Sequence, residues 1–169
     1  VTGEDFRRAA LDEIGVDLGP ELAQWSERIA VPELEVTIDP RGMDAGRDSV
    51  EIVVRQVQPG APFALFLDLE LHFEGGNSRV ETLELDGVES RLSVRLQRPL
   101  LDVTVDPFGA ILADLRVQKS EAAWLAQGLL SRPAVQRQRA LPELERLALA
   151  GSAAARQTLV RALLDRKST

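Results

Sequence analysis

The chain has 169 residues, a formal net charge of −7, no cysteine, no tyrosine and one histidine, His72. Its length suits one hydrophobic core with a smaller appendage, and 44% apolar with 28% charged residues is typical of a folded globular protein. A single histidine and no cysteine exclude most zinc sites and most nucleophilic triads, which need several such side chains. The composition therefore indicates a structural element rather than a complete active site.

The chain begins with Val1 rather than methionine, so we expect a processed chain or a piece of a longer one. Its first residues resemble neither a signal peptide nor a basic transit sequence. No apolar run approaches the roughly 18 residues that would cross a bilayer, so we expect no membrane span. We expect a soluble protein whose compartment stays open, with the cytoplasm slightly favoured.

Residues 1–32 are predicted to form two short helices. Thr2 followed by Asp5 has the form of a capping box, and Gly15 is a typical helix stop. The second helix is predicted after Asp17, with Pro20 in its first turn. Each helix has one apolar stripe, formed by Phe6, Ala9, Ala10 and Ile14 in the first helix and by Leu22, Trp25 and Ile29 in the second. Two such helices cannot bury a core alone, so we expect them to dock on another part of the protein.

From Glu33 the apolar pattern has a period of two, which predicts β-strands. The predicted strands cover residues 34–38, 50–58, 63–73, 80–85, 90–96, 101–105 and 111–117. Val57 is predicted to join the buried face of the second strand. One face of the longest strand is apolar and is predicted to be buried, namely Phe63, Leu65, Leu67, Leu69 and Leu71. The opposite face is predicted to point outward and carries Asp68, Glu70 and His72.

Residues 120–169 are predicted to be helical again. Ser120 can cap the first helix, Pro142 is expected to break or kink the second, and Gly151 separates the last. The apolar side of that last helix is predicted to consist of Leu159, Ala162, Leu163 and Leu164. Short helices joined by tight turns are typical of the beginning of a HEAT-like α-solenoid.

The predicted fold is mainly β with flanking helices. Residues 1–32 form the helical pair, residues 33–119 a seven-stranded antiparallel β-sandwich of immunoglobulin or fibronectin type, and residues 120–169 a HEAT-like helical segment. Residues 1–119 carry 23 acidic and 12 basic side chains, whereas residues 120–169 carry 4 acidic and 8 basic ones. Because Arg166-Lys167 is the only basic cluster of that tail, we interpret its charge as a solvated helical face, or one docked on an acidic neighbour, and expect no nucleic-acid partner.

Several short segments follow one another in an informative order. At the first junction they are GVDL at 15–18, Trp25 and VPELEV at 31–36. In the strands they are VVRQVQ at 53–58, FALFL at 63–67, VTVDP at 103–107 and LADL at 112–115. Trp124 and residues 136–144 follow in the helical tail. This order resembles the C-terminal region of the gluzincin zinc aminopeptidases of the alanyl/leucyl type.

The resemblance implies a non-catalytic region that braces a catalytic domain and links it to a C-terminal helical domain. The family's H-E-x-x-H helix, third zinc ligand and transition-state tyrosine have no counterpart here, and Gly42-Met43-Asp44 only echoes its Gly-x-Met-x-Asn strand. We therefore assign no catalytic, cofactor-binding or metal-binding residue and expect no enzyme activity from this chain alone. Zinc is implied for the parent enzyme only. The implied partners are the other domains of the parent chain, and self-association is a further expectation.

The alternative is a free-standing immunoglobulin-like module that binds a protein or a glycan. A glycan platform needs exposed aromatic rings, whereas Trp25 and Trp124 lie on apolar helical stripes and are predicted to pack in a core. Ser120 and Ser131 have no base nearby in sequence and are interpreted as helix caps.

Three further groups of residues bear on possible chemistry. His72 is predicted to lie at the surface, and as a metal ligand it would have only Asp68 and Glu70 near it. Glu81 and Glu84 have an odd separation, so they cannot form a carboxylate pair on one strand face. A loose oxygen-ligand pattern that could hold a cation is formed by Asp39, Asp44 and Asp48.

Overall fold

The computed structural model describes residues 2–39, 48–130 and 134–165. Within those residues the elements are α1 Gly3–Ile14, α2 Gly19–Ser26, β1 Glu33–Ile38, β2 Ser49–Gln56, β3 Leu65–Phe73, β4 Ser78–Leu85, β5 Glu89–Arg95, β6 Leu100–Val105, β7 Asp114–Gln118, α3 Glu121–Leu130, α4 Ala134–Leu149 and α5 Ala153–Asp165. The order of helix pair, seven strands and helical tail is the predicted one. The division into three domains stays a prediction.

The seven strands form two sheets, with the strand orders β5-β2-β1-β7 and β4-β3-β6. Alternate residues of β1, β2 and β3 are buried, and together with residues of the other strands they make one apolar cluster between the sheets. The predicted inward face of the longest strand is confirmed, because Phe63, Leu65, Leu67, Leu69 and Leu71 are all buried. Each such side chain contributes roughly 1.5–3 kcal/mol through burial.

Two predictions about the strands are wrong. The sandwich is not purely antiparallel, because β7 runs parallel to β1, with Leu34 opposite Leu115. The chain crosses from β6 in one sheet to β7 in the other, and this crossing brings β7 beside β1 in the same direction. Val57 is 41% exposed, whereas Gln56 and Gln58 are buried. The period of two continues through the glutamines because their amides are hydrogen-bonded inside the fold. The immunoglobulin or fibronectin type stays a prediction.

The first helix keeps its apolar stripe exposed. The capping box of Thr2 and Asp5 is confirmed, and Gly15 ends α1 in the left-handed conformation at φ 70°. No residue of α1 is buried, and Phe6 and Ile14 are 56% and 68% exposed. The second helix ends at Ser26, so Ile29 lies beyond it and is exposed, which corrects the predicted stripe.

The last three helices pack on the sandwich and on one another. Helix α3 lies against β6, and a second apolar cluster joins α3, α4 and α5 around Trp124, Ala140, Leu144 and Ala155. Gly128 permits this close packing, because a Cβ there would meet Leu144 Cδ1 at 2.8 Å. No helix in the described part of the chain is long and apolar enough to cross a bilayer.

Two predictions about these helices need correction. Pro142 lies inside α4, which continues through it, so the predicted break is wrong, while a kink there stays a prediction. Gln138, whose carbonyl loses its helical partner, is exposed like Pro142, so water can bond that carbonyl. Leu164 is 61% exposed and does not belong to the packed side of α5, whereas the predicted Leu159 lies on that side together with Ala155. The HEAT-like character stays a prediction, and Ser131 lies outside the described residues.

Candidate functional site

A buried ion pair joins the sandwich to the helical tail. Lys119 follows β7, and its Nζ contacts the carboxylate of Asp102 on β6. Both side chains are almost completely shielded from solvent, at 0% and 2% exposure. The ammonium group also donates to the Val103 carbonyl at 3.2 Å and to Gln127 Oε1 at 2.5 Å, and it lies 4.5 Å from the centre of the Trp124 ring. The cation therefore has acceptors from β6 and from α3.

Burial controls the chemistry of this pair. Loss of hydration lowers the pKa of the Lys119 ammonium below its ordinary value, and the Asp102 carboxylate opposes that shift. An ion pair in such a place is weak evidence for net stability, since desolvation offsets much of the attraction. Removing one partner leaves an uncompensated buried charge, however, which costs about 3–5 kcal/mol. The pair therefore ties the end of β7 to β6, and Gln127 and Trp124 of α3 contact the same ammonium group.

Hydrogen bonds extend from Lys119 into α4. Gln127 Nε2 donates to the Gln136 carbonyl at 2.8 Å. Gln136 Nε2 in turn donates to the carbonyls of Asp106 and Pro107 at 2.6 Å and 3.0 Å. Asp106 is buried at φ 48°, and its carboxylate accepts from Ala110 N at 2.7 Å. The loop after β6 is thus held in its left-handed turn by its own carboxylate and by a glutamine of α4.

His72 belongs to the opposite end of this network. Its Nε2 lies 3.1 Å from Thr104 Oγ1, and Thr104 donates to Asp102 at 3.0 Å. Glu70 Oε2 lies 3.5 Å from the same nitrogen. The prediction of a surface histidine is therefore only partly right, because the His72 side chain is 17% exposed and hydrogen-bonded along the sheet. Asp68, the other acidic residue expected near His72, instead accepts a hydrogen bond from Thr82 Oγ1 at 2.6 Å.

Glutamine side-chain amides hydrogen-bond to the backbone just before β3. Gln24 of α2 donates from Nε2 to the Ala64 carbonyl and accepts from Ala64 N at Oε1, at 3.0 Å each. Gln56 of β2 does the same for Phe63, at 2.7 Å and 2.8 Å. Trp25 packs on the Phe63 ring with a centroid distance of 5.3 Å and is half-buried rather than fully packed in a core. Helix α2, unlike α1, is therefore tied to the sandwich.

Among the described residues, the other candidates form no metal-binding group. Asp39 and Asp48 lie at the ends of β1 and β2, Asp44 lies outside the described residues, and in the described ranges no three acidic or histidine side chains could hold a metal ion. Glu81 pairs with Arg79 at 2.8 Å. Glu84 is exposed. Trp124 is buried as predicted, and Ser120 Oγ accepts from Ala123 N at 3.2 Å as a helix cap.

Two clefts open at the margins of the sandwich. The first, of about 580 Å³, lies between β7 and helices α3 and α4 and is lined by Leu115, Arg116, Val117, Gln118, Trp124 and Gln136, among others. The second, of about 490 Å³, lies beside α2 and is lined by four acidic residues, Glu21, Asp68, Glu84 and Asp106, and by the exposed side chains of Phe66 and Leu112. Neither cleft contains a nucleophile with a base.

Comparison with known proteins supports the fold alone. No family model and no curated protein matches the chain. A solved structure, aminopeptidase A of Legionella pneumophila in complex with aspartic acid, is similar over 91% of this chain with a TM-score of 0.66 and 18% identity. The chain spans only 18% of the length of that protein. This is a two-sheet, helix-flanked fold related to part of an aminopeptidase.

Sequence reasoning missed the buried network around Lys119. One signal was present: the chain has only two lysines, Lys119 and Lys167, against 18 arginines. A compact ammonium group fits a closed pocket of carbonyl and carboxylate oxygens better than a planar guanidinium does. No local pattern, however, pairs Lys119 with Asp102, because the two residues are 17 positions apart.

Proposed function

We propose that this chain is a non-catalytic structural region of a larger zinc aminopeptidase-like protein. In that role it braces a catalytic domain at its N-terminal side and links it to a helical domain at its C-terminal side. The observation that carries the proposal is the extent of the fold likeness, which covers 91% of this chain but 18% of an aminopeptidase. The activity, the zinc and the substrate belong to the rest of such a protein in this proposal.

The distribution of exposed apolar side chains supports the role of a brace. On α1, three large apolar residues are more than 45% exposed, namely Phe6, Leu11 and Ile14. At the other end Leu149 and Leu164 are 83% and 61% exposed on α4 and α5. The sheets between them enclose a core that is closed within the chain. Apolar side chains exposed at both flanks mark surfaces for further packing.

The test compares the 169-residue chain with the full-length product of the same gene. Phe6→Ser should change the thermal stability of the isolated chain very little, because Phe6 contacts no core there. In the full-length protein the same substitution should lower the stability of the catalytic part and its peptidase activity. Arg8→Ser is the matched control on the same helix and should be silent in both. Equal, negligible effects of Phe6→Ser in both proteins would contradict the brace.

Activity of the isolated chain is the second readout. With added zinc and an aminoacyl nitroanilide, the chain alone should show no turnover above background. Turnover that survives removal of contaminating peptidases would show a complete active site and would overturn the proposal.

A second candidate is a free-standing binding module, which the second cleft favours. Phe66 and Leu112 are 70% and 66% exposed at its rim, beside four acidic residues. Such a cleft suits an apolar peptide with basic side chains. Binding of a peptide of that composition by the isolated chain, lost in Phe66→Ser but kept in Val88→Ser on another exposed loop, would support this candidate.

A further inference from the structure

The free edge of β7 lies inside the first cleft. Among the described strands β7 is paired with β1 alone, so one of its two edges has no ladder partner. Four consecutive residues, Leu115 to Gln118, line the same cleft. Successive side chains of a strand point to opposite faces, so a cleft that touches all four lies along the strand edge.

The hydrogen-bond register identifies the unpaired backbone groups. Asp114 N donates to the Pro32 carbonyl at 2.8 Å, which directs the N–H and C=O of Asp114 toward β1. In a parallel ladder the groups alternate along the strand, so Arg116 and Gln118 also face β1. The N–H and C=O groups of Leu115 and Val117 therefore face the cleft. An exposed edge of this kind is a template for another strand.

A second observation at the cleft is independent of the edge. Gln136 is 1% exposed, and its Oε1 is the buried side-chain acceptor that lacks a hydrogen-bond donor in the described part of the chain. Its Nε2 is fully used on two carbonyls, so the amide cannot turn to satisfy Oε1 without losing them. Gln136 therefore lines the cleft while its amide oxygen, shielded from solvent, is left unpaired, and a buried acceptor without a donor is costly.

We propose that an extended segment of the parent polypeptide, outside these 169 residues, adds to β7 as a strand in this cleft. This rests on the proposed function, because the segment is expected from the rest of a protein of which this chain resembles 18%. Side chains of the segment on the Leu115 and Val117 side would be apolar and would meet Trp124. Those on the Arg116 side would be polar.

The walls of the cleft favour a single segment over a second copy of this chain. Trp124 of α3 and Arg139 and Pro142 of α4 also line it, so these helices flank the free edge of β7. The β7 edges of two copies would be held apart by these helices. One extended chain can enter, and recognition by strand addition needs only main-chain hydrogen bonds and a few side-chain pockets.

The test is amide hydrogen exchange at single-residue resolution in the isolated chain and in the full-length protein. In the isolated chain Leu115 and Val117 should exchange fast, and Arg116 and Gln118 more slowly because they bond to β1. In the full-length protein Leu115 and Val117 should slow by about 100-fold or more, as expected for amides in a stable ladder. Fast exchange at both residues in the full-length protein overturns the proposal.

Other outcomes are also decisive. Protection of Leu115 in the isolated chain that grows with concentration would show a second copy in the cleft and overturn the inference. A gene product that ends at these 169 residues would overturn it as well. Hydroxyl-radical footprinting of Phe6 reports on the proposed function separately. If Phe6 is shielded from hydroxyl radicals in the full-length protein but the Val117 amide is not protected from exchange, only strand addition is contradicted. If the Val117 amide is protected and Phe6 is not shielded, only the brace at α1 is contradicted.

Proline variants give a matched control. Val117→Pro removes an N–H that faces the cleft, so it should lower the unfolding temperature more in the full-length protein than in the isolated chain. Arg116→Pro removes a bond to β1 and should act equally in both. Equal effects of Val117→Pro in the two proteins would contradict strand addition. If a variant does not fold, the exchange comparison on the unmodified proteins still decides.

Discussion

The N-terminal and C-terminal helices that flank the sandwich have similar sequence patterns but pack on it differently. Each has apolar stripes and one tryptophan, Trp25 in α2 and Trp124 in α3, yet α1 buries no residue while α3 covers β6. Their ion pairs differ in the same way. Arg7 and Asp17 connect α1 to the start of α2 at 2.7 Å in solvent, whereas Lys119 and Asp102 are sealed between α3 and β6. An apolar stripe alone therefore does not decide docking, which also requires a surface that satisfies the polar groups it covers.

The largest expected effect is at the buried pair. Lys119→Ala should destabilise the chain by about 3–5 kcal/mol, because Asp102 is left buried without its cation. Urea denaturation followed by Trp124 fluorescence measures this. The double variant Lys119→Met with Asp102→Leu should recover most of the loss, since apolar groups need no counter-charge. A loss below about 1 kcal/mol for Lys119→Ala would mean that the pair is open to water.

The next largest losses of stability are expected at the two tryptophans. Trp124→Ala should cost about 3–5 kcal/mol, because the ring is buried and covers the Lys119 ammonium group. Trp25→Ala should cost clearly less, since its ring is half-buried against Phe63. Both values come from chemical denaturation of the single variants. Equal losses would show that the N-terminal flank is as firmly docked as the C-terminal one.

The pH dependence of the free energy of unfolding reports on the ionisation of Lys119. Burial lowers its pKa in the folded chain, so between that lowered value and the ordinary 10.5 the unfolded chain holds a proton that the folded chain has released. The free energy of unfolding should therefore rise with pH in this window, and below it the cost of the buried charge is fully present. With no tyrosine or cysteine in the sequence, few other groups titrate there. The rise should be absent in Lys119→Met, and an equal rise in both proteins would contradict the assignment.

The smallest effect is expected at the exposed pair of the N-terminal flank. The Arg7 guanidinium, followed by the Gly19 N–H, lowers the pKa of Asp17 from 3.8 to about 2. Stability from this group is present above the ordinary pKa and is lost as the pH falls through about 2. An NMR titration of the Asp17 carboxyl should show this value, and Arg7→Ala should return it toward 3.8. Because the pair is exposed, the unfolding midpoint near neutral pH should hardly change.

The sequence alone determined the elements that local pattern controls. A period of two predicted all seven strands and the buried face of β3, because alternate side chains of a strand must share one face. The capping box at Thr2 and the stop at Gly15 were equally readable, since both depend on residues a few positions apart. The resemblance to an aminopeptidase region, carried by the order of weak segments, found support in the fold of a solved aminopeptidase.

Only the tertiary structure decided which surfaces meet. The pairing of Lys119 with Asp102, the parallel contact of β7 with β1 and the burial of Gln56 all join residues through space rather than along the chain. A lysine or glutamine in a sequence is normally solvated, and it is buried only where distant backbone and side-chain groups satisfy its hydrogen bonds. Helix α1 shows the same limit, because its apolar stripe was readable from the sequence but stays exposed in the described part of the chain.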